Sequence, residues 1–185
     1  MALFNAKDLK RRANNELNKS IYSKSASTIL NESYQNFNYV EAYDIFLSHS
    51  YQDAEIILGL KNTLEDLGYK VYVDWIIDRD LSRDNVNTST ASRLRKRMRS
   101  CKCLIYATSN NSNKSKWMPW ELGYFDGWKG KVSILPINEE SVNKETFDGQ
   151  EYLGLYSYVV KGYFDDLYIK DLNGKRKSFR EWLRE

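Results

Sequence analysis

One carboxylate stands in unusual company. In KWMPWELGYFDGWKG, residues 116–130, Glu121 lies among Trp117, Trp120, Tyr124, Phe125 and Trp128, two residues after Pro119. Ser115 is a candidate cap and Pro119 suits a first turn, so the stretch is expected to be helical. At about 100° per residue, Met118, Leu122 and Phe125 share a core-facing side, while Trp117, Glu121, Tyr124 and Trp128 form a second stripe. A glutamate on that stripe has two uses. It can favour the positive end of the helix dipole, with its stem covered by Trp117. Alternatively, it is a carboxylate in an aromatic-walled cleft, placed to stabilise positive charge developing on a sugar during bond breaking. Helical phase alone leaves both open.

Other reactive residue types are sparse. His49 follows a strand-like run, YDIFLSH, where a catalytic histidine can sit. No serine or cysteine nucleophile has the matching context, and a lone histidine is more often structural. His49 with Cys101 and Cys103 gives no zinc set, so no metal is expected. Motifs GxGxxG, GxxxxGK[ST] and GxSxG are missing, which removes dinucleotide-binding Rossmann, P-loop and hydrolase-elbow readings. RLRKRMR, residues 93–99, is the strongest basic run. As a helix it turns Leu94 and Met98 inward and sends Arg93, Arg95, Lys96, Arg97 and Arg99 to the solvated side. No aromatic platform or second basic strip supports nucleic-acid binding.

These residues need elements to position them. From Tyr43 onward, strand-like and helix-like stretches alternate. YDIFLSH is followed by Asp53, a candidate cap for AEIILGLKNTLEDLG, whose Ile56, Leu60, Leu64 and Leu67 form one face. YKVYV is the next strand, ending at Asp74. A polar loop then leads to a helix with Ala91, Leu94, Met98 and Cys101 inside. CLIYAT and VSILPI are two more strands, on either side of the Glu121 helix. Strands joined by single helices require crossover connections, hence an α/β fold with a parallel sheet covered on both faces. Ligand crevices in such sheets lie beyond the carboxyl ends of the strands. That gathers Ser48, His49 and Ser50, then Asp74 and Trp75, then residues 108–115 and the Glu121 helix. YSYVVKGYF is expected to be an edge strand and SFREWLRE a terminal helix. Residues 1–40 are expected to be a helical arm with Phe4, Leu9, Ala13, Leu17 and Ile21 at helical spacing, packed on the domain of residues 41–185 or on a second subunit.

Bulk properties narrow the setting. A chain of 185 residues, 42% hydrophobic and 29% charged, with a net charge of +3, suits a globular domain and names no partner. No apolar run reaches the roughly 18 residues of a membrane span, and the N-terminal stretch is no secretory signal. Cysteines two apart on a strand are too close for an ordinary disulfide, which favours a reduced, cytoplasmic setting.

YDIFLSHSYQD, GYKVYVDW, CLIYATS and SKWMPWEL occur in an order and spacing that resembles bacterial Toll/interleukin-1 receptor (TIR) domains, over roughly residues 43–137 and loosely beyond. The last block matches the Ser-x-Trp-x-x-x-Glu pattern of the NAD+-cleaving members, through Ser115, Trp117 and Glu121. With its N-terminal helical arm the chain resembles the signal-making TIR proteins of Thoeris-like antiphage defence. The resemblance implies a flavodoxin-like sheet of five parallel strands with helices on both faces. It implies NAD+ as substrate, no cofactor, and Glu121 as the catalytic carboxylate that stabilises an oxocarbenium-like transition state. Trp117 and Trp75 are then candidates for stacking on nicotinamide or adenine, with Ser115 and Tyr124 beside them. Ser48, His49, Ser50 and Asp53 would line the phosphate or ribose end, and Asp74 would hold Arg79 or shape its loop. The product would be ADP-ribose or a cyclic isomer, sensed by a separate effector protein, and TIR–TIR contacts would make a homo-oligomer. DWIIDRDLSRDN falls at the family's BB loop but lacks the Pro-Gly of many receptor TIR domains. The alternatives are a non-enzymatic TIR scaffold, or a related enzyme acting on another N-glycosidic nucleotide.

Overall fold

The computed structural model describes residues 1–18, 24–36, 42–75, 88–140, 146–147, 151–163 and 166–185. The elements are β1 (Phe4–Asn5), α1 (Ala6–Leu17), α2 (Ala26–Gln35), β2 (Tyr43–Ser48), α3 (Ala54–Asp66), β3 (Val71–Val73) and α4 (Thr88–Arg99). They continue with β4 (Cys101–Thr108), α5 (Trp117–Lys129), β5 (Val132–Asn138), β6 (Tyr158–Lys161), β7 (Leu167–Lys170), β8 (Arg176–Ser178) and α6 (Phe179–Arg184).

The strand order is β3-β2-β4-β5-β6-β7-β8, with β1 pairing beside β5. The first five strands of this order run parallel, as the alternation of strands and helices requires. These are the five parallel strands expected, and among the described residues β1, β7 and β8 bring the sheet to eight. β7 and β8 extend it antiparallel, so β6, expected at the edge, lies inside. These late strands are only four and three residues long, and Arg-Lys-Ser carries no alternation to announce β8.

Both faces of the sheet are covered, and the strands divide their side chains between two cores. Ile45, Leu47, Ile105 and Ala107 join one core with α1, α3 and α6. Phe46, Leu104 and Tyr106 face the other, with Leu94 and Met98 of α4 and Met118, Leu122 and Phe125 of α5. Strands buried on two sides must be apolar nearly throughout, which is why YDIFLS and CLIYAT read as runs rather than alternations.

The N-terminal segment contributes to the first of these cores. Phe4, Ala6, Leu9, Ala13, Ala26 and Leu30 are buried there. Phe4 belongs to β1 rather than to the helix, with its register set by Ile137. Where α1 crosses α3, Gly59 removes the obstacle: a Cβ there would lie 1.9 Å from the Leu9 carbonyl oxygen. Arg12 then closes on Asp66 at 2.8 Å. α6 is fixed by a capping box between Ser178 and Glu181.

Candidate active site

β2 and β4 are sequence-distant neighbours, and the chain leaves them toward opposite sides of the sheet. Their carboxyl ends thus form the crevice where open α/β sheets bind ligands. A cleft of about 120 Å³ opens there. Its walls come from residues 49–52 after β2, Asp74 after β3, and Lys114, Ser115, Trp117 and Glu121 at the start of α5.

α5 delivers Glu121 because its first turn begins at the cleft. The Ser115 hydroxyl accepts from the Met118 amide at 3.3 Å, and Pro119 occupies the first turn, where it lacks no needed donor. Gly130, left-handed at φ 65°, ends the helix. Glu121 is only 5% exposed. Ser48 Oγ donates to its Oε2 at 2.6 Å. Burial, reinforced by the negative charge of Asp74, pushes the Glu121 carboxyl up to about 8, with the Ser48 hydrogen bond pulling the other way. A carboxyl held this way is proton-poised near neutrality, and any cation entering the cleft favours its ionised form.

Asp74 is the second carboxylate of the cleft. Its Oδ1 accepts from the Tyr72 hydroxyl at 2.6 Å and from Arg97 Nη1 at 3.2 Å. Burial raises its pKa, while Tyr72 and Arg97 lower it. Arg97 is itself buried, a correction to its expected place on the solvated side of α4. Three residues past Leu94 and one before Met98, it lies at the flank of the apolar stripe, and the Asp74 carboxylate gives its charge a partner there.

His49 lines the cleft, with Nδ1 3.1 Å from the Leu47 carbonyl. Burial pushes its pKa down to about 4, so it stays neutral at physiological pH, donates through Nδ1 and keeps Nε2 as an acceptor. Ser50 also lines the cleft and caps the turn at Gln52 with its hydroxyl.

Other expected residues lie elsewhere. Trp75 backs the cleft wall: 1% exposed, it stacks under His49 at 5.3 Å and meets Tyr51 at 5.0 Å. Its Nε1 has no hydrogen-bond partner among the described residues. Asp53 does not cap α3 with its side chain. Its carboxylate accepts from the hydroxyl of Ser109 and from Asn111 Nδ2, the latter at 2.6 Å, tying the loop after β2 to the loop after β4. Tyr124 has left the cleft, stacking on Trp120 and accepting from Arg99 Nε at 2.9 Å. The stripe of Trp117, Glu121, Tyr124 and Trp128 has the right phase but too much length. Seven residues of helix carry Tyr124 about 10 Å down from Trp117, away from the strand ends. Arg79 lies outside the described residues.

Sequence reasoning missed Tyr51 and Gln52 as cleft residues, and had Lys114 only as one of the residues 108–115 gathered at the strand ends. Lys114 Nζ reaches Gln52 Oε1 at 3.2 Å and Asn111 Oδ1 at 2.9 Å, which hangs its charge over the opening. Its loop, SNNSNKSK, gave no sign beyond polarity.

The sheet order, the switch-point cleft and Ser115, Trp117 and Glu121 at its wall coincide with a match to the TIR domain model over residues 45–167. The chain belongs to the TIR-domain family. It is 48% identical over the whole of both chains to a Bacillus cereus (strain MSX-D12) protein named "Probable 3' cyclic ADP-D-ribose synthase ThsB'". A second relative, TIR2 of Cytobacillus dafuensis, is named for cyclic ADP-D-ribose synthesis. It is 35% identical over 85 residues, covering 45% of this chain and 22% of its own. The TIR match starts at β2, so β1, α1 and α2 lie outside it, whereas the Bacillus relative aligns with them as well. No helix among the described residues is long and apolar enough to cross a membrane.

Proposed function

We propose that this TIR protein cleaves the nicotinamide–ribose bond of NAD+ and closes the remaining ADP-ribose into a cyclic signal, with Glu121 as the catalytic carboxylate. The observation that carries the proposal is the buried Glu121 at the switch-point cleft, held by Ser48 beside Trp117. A carboxylate kept out of water at such cost suits a ligand that brings positive charge, and nicotinamide in NAD+ is a cationic leaving group. The full-length relative named for 3' cyclic ADP-D-ribose synthesis supports the same chemistry.

The C1–N bond breaks and nicotinamide departs neutral, taking the bonding electron pair. Positive charge moves onto the ribose, where ionised Glu121 stabilises it in a low-dielectric setting. No acid is needed for the leaving group, unlike glycosides, whose departing oxygen must be protonated. A ribose hydroxyl of the ADP-ribose then bonds to C1, and its proton passes to Glu121 and on to solvent. The relative's name points to the 3' position for that bond. Water in place of the hydroxyl gives ADP-ribose. The binding cation of the substrate lowers the Glu121 pKa, so ionisation of the catalytic group accompanies binding.

Trp117 offers an aromatic face to a planar ring, and Lys114 offers a cation to the pyrophosphate. Ser50, His49 Nε2 and Gln52 supply polar contacts to ribose. No cofactor enters the scheme. TIR–TIR contacts would assemble a homo-oligomer, in the cytoplasm, and a separate effector would sense the product in antiphage defence. A scaffold without activity leaves the costly burial of Glu121 without a purpose.

The test is incubation with NAD+, with chromatography and mass spectrometry of the products. Nicotinamide and a cyclic ADP-ribose isomer are expected from the wild type, and neither from folded Glu121→Gln. Equal turnover by that variant rules out the assignment.

A further inference from the structure

We infer that Arg97 is a positioning residue of the cleft, fixing the Asp74 carboxylate on its wall, and that Tyr34 of the N-terminal helix α2 holds Arg97 there. The inference rests on the reading of Glu121 as the catalytic group.

The geometry forms a chain of contacts from α2 to the cleft. The Arg97 guanidinium lies over the Tyr34 ring, 4.0 Å from its centroid, and over the Tyr72 ring at 5.4 Å. It donates to the Tyr72 hydroxyl, which in turn donates to Asp74 Oδ1, and it pairs directly with that same oxygen. The Arg97 and Asp74 side chains are 8% and 5% exposed. Water therefore does little to screen the pair, and neither charge is stable there without the other. A guanidinium is the fitting cation, because its flat face stacks on an aromatic ring while its edge donates hydrogen bonds. Tyr34 thus makes the N-terminal segment, which lies outside the TIR match, part of the support for the cleft.

The consequence is electrostatic. Arg97 keeps Asp74 ionised against burial, and the Asp74 charge is one of the two causes that raise Glu121. The described charged or titratable groups facing these residues are few. Tyr34 comes from α2, His49 from the loop after β2, Tyr72 from β3, Arg93 and Arg97 from α4, Cys101 and Tyr106 from β4 and Lys114 from the loop before α5. His49 is neutral, burial pushes the Cys101 thiol and the hydroxyls of Tyr72 and Tyr106 up, and Arg93, Arg97 and Lys114 are cations. Without Arg97, burial holds a proton on Asp74 to higher pH, its negative charge is weakened, and Glu121 ionises at lower pH.

The experiment uses the full chain and two readouts. One is a ¹³C titration of the Glu121 carboxyl in the free protein, identified by its loss in Glu121→Gln. The other is the pH dependence of kcat/KM for nicotinamide release. In Arg97→Met the Glu121 midpoint is expected to fall by on the order of one pH unit, and the acid limb of kcat/KM with it. Tyr34→Ala should shift both the same way by less, and Tyr34→Phe, which keeps the ring, should restore the wild-type midpoint. If Arg97→Met does not fold, the two Tyr34 variants decide alone. Wild-type midpoints in Arg97→Met and Tyr34→Ala, with at most a uniform loss of rate, overturn the inference. Failure of the catalytic reading looks different: wild type releases no nicotinamide, while the titration still reports the coupling.

Discussion

Glu121→Gln should make the protein more stable, by an amount that depends on pH in a defined way. Burial and Asp74 raise the Glu121 carboxyl from an ordinary 4.5 to about 8. Between these two values the unfolded chain has lost the proton and the folded one retains it. Stability therefore falls as pH rises through that window, by about 1.4 kcal/mol per unit. Relative to a neutral side chain of the same shape, the wild type loses about 3 kcal/mol by pH 7 and about 5 kcal/mol above pH 8. Glu121 is only 5% exposed, so solvent screening does not reduce these figures much. The amide introduced by the substitution keeps an acceptor for the Ser48 hydroxyl, which limits new losses. For a chain of this size, about 3 kcal/mol corresponds to a rise in Tm of about 6 to 12 °C at pH 7. Urea unfolding of both proteins from pH 5 to 9 gives the difference directly, and the low pKa of His49 is common to both and cancels. The difference should be small at pH 5, climb steadily, and level off above pH 8. A difference that does not change with pH would mean that Glu121 is not held protonated by the fold, and the electrostatic account of the site fails.

Four further outcomes check other parts of the site and of the fold. Below its limb, kcat/KM for nicotinamide release should rise with pH and gain about five- to sixfold between pH 7 and 8, as the free enzyme's Glu121 ionises. The limb of kcat should lie at lower pH, because bound NAD+ carries positive charge, so coincident limbs would contradict that coupling. Ser48→Ala removes a hydrogen bond to a charged group, worth about 1.5–3 kcal/mol. It should move the kcat/KM limb up by about one to two units and cost about ten- to a hundredfold at pH 7; an unmoved limb means Ser48 does not tune the carboxylate. Gly59→Ala forces α1 off α3 and should destabilise by at least about 1–3 kcal/mol, read as a lower urea midpoint. An unchanged midpoint would show that the crossing is not a tight backbone contact.

The parallel sheet was legible because each strand is a short apolar run with a single helix after it. The place of Glu121 at the strand ends was legible because its helix follows CLIYAT, while its use was suggested only by the family resemblance carried by Ser115 and Trp117. What escaped the sequence has particular causes. Arg97 falls at the edge of its helix's apolar stripe, and partners far away in sequence, Asp74, Tyr72 and Tyr34, decide that it turns inward. Asp53 has the residue type and place of a cap, but its carboxylate satisfies Ser109 and Asn111, more than fifty residues later. Helical phase could place Tyr124 on the stripe of Glu121 but not at the height of the cleft, because phase carries no information about where along the helix the strand ends stop. β7 alternates over only four residues, and β8, Arg-Lys-Ser, is too short and too polar to show a period.

The buried carboxylates explain each other. Glu121 alone could be ionised more cheaply by nearby cations, yet the cleft places a second carboxylate beside it and spends a buried arginine to keep that one charged. Arg97 cancels part of the Asp74 charge at its own end, where Tyr72 and Tyr34 also gather, and the negative charge that Glu121 feels keeps its proton on. In the free protein this arrangement is costly and leaves Glu121 protonated. When a cationic nicotinamide riboside enters, both carboxylates face an opposite charge, the proton leaves, and the site gains electrostatic stabilisation that a neutral ligand cannot supply. Discrimination for a cationic N-glycoside thus follows from the same pair of acids that makes the free protein less stable. A site built from one low-pKa carboxylate would be more stable and would distinguish NAD+ from its neutral reduced form less sharply.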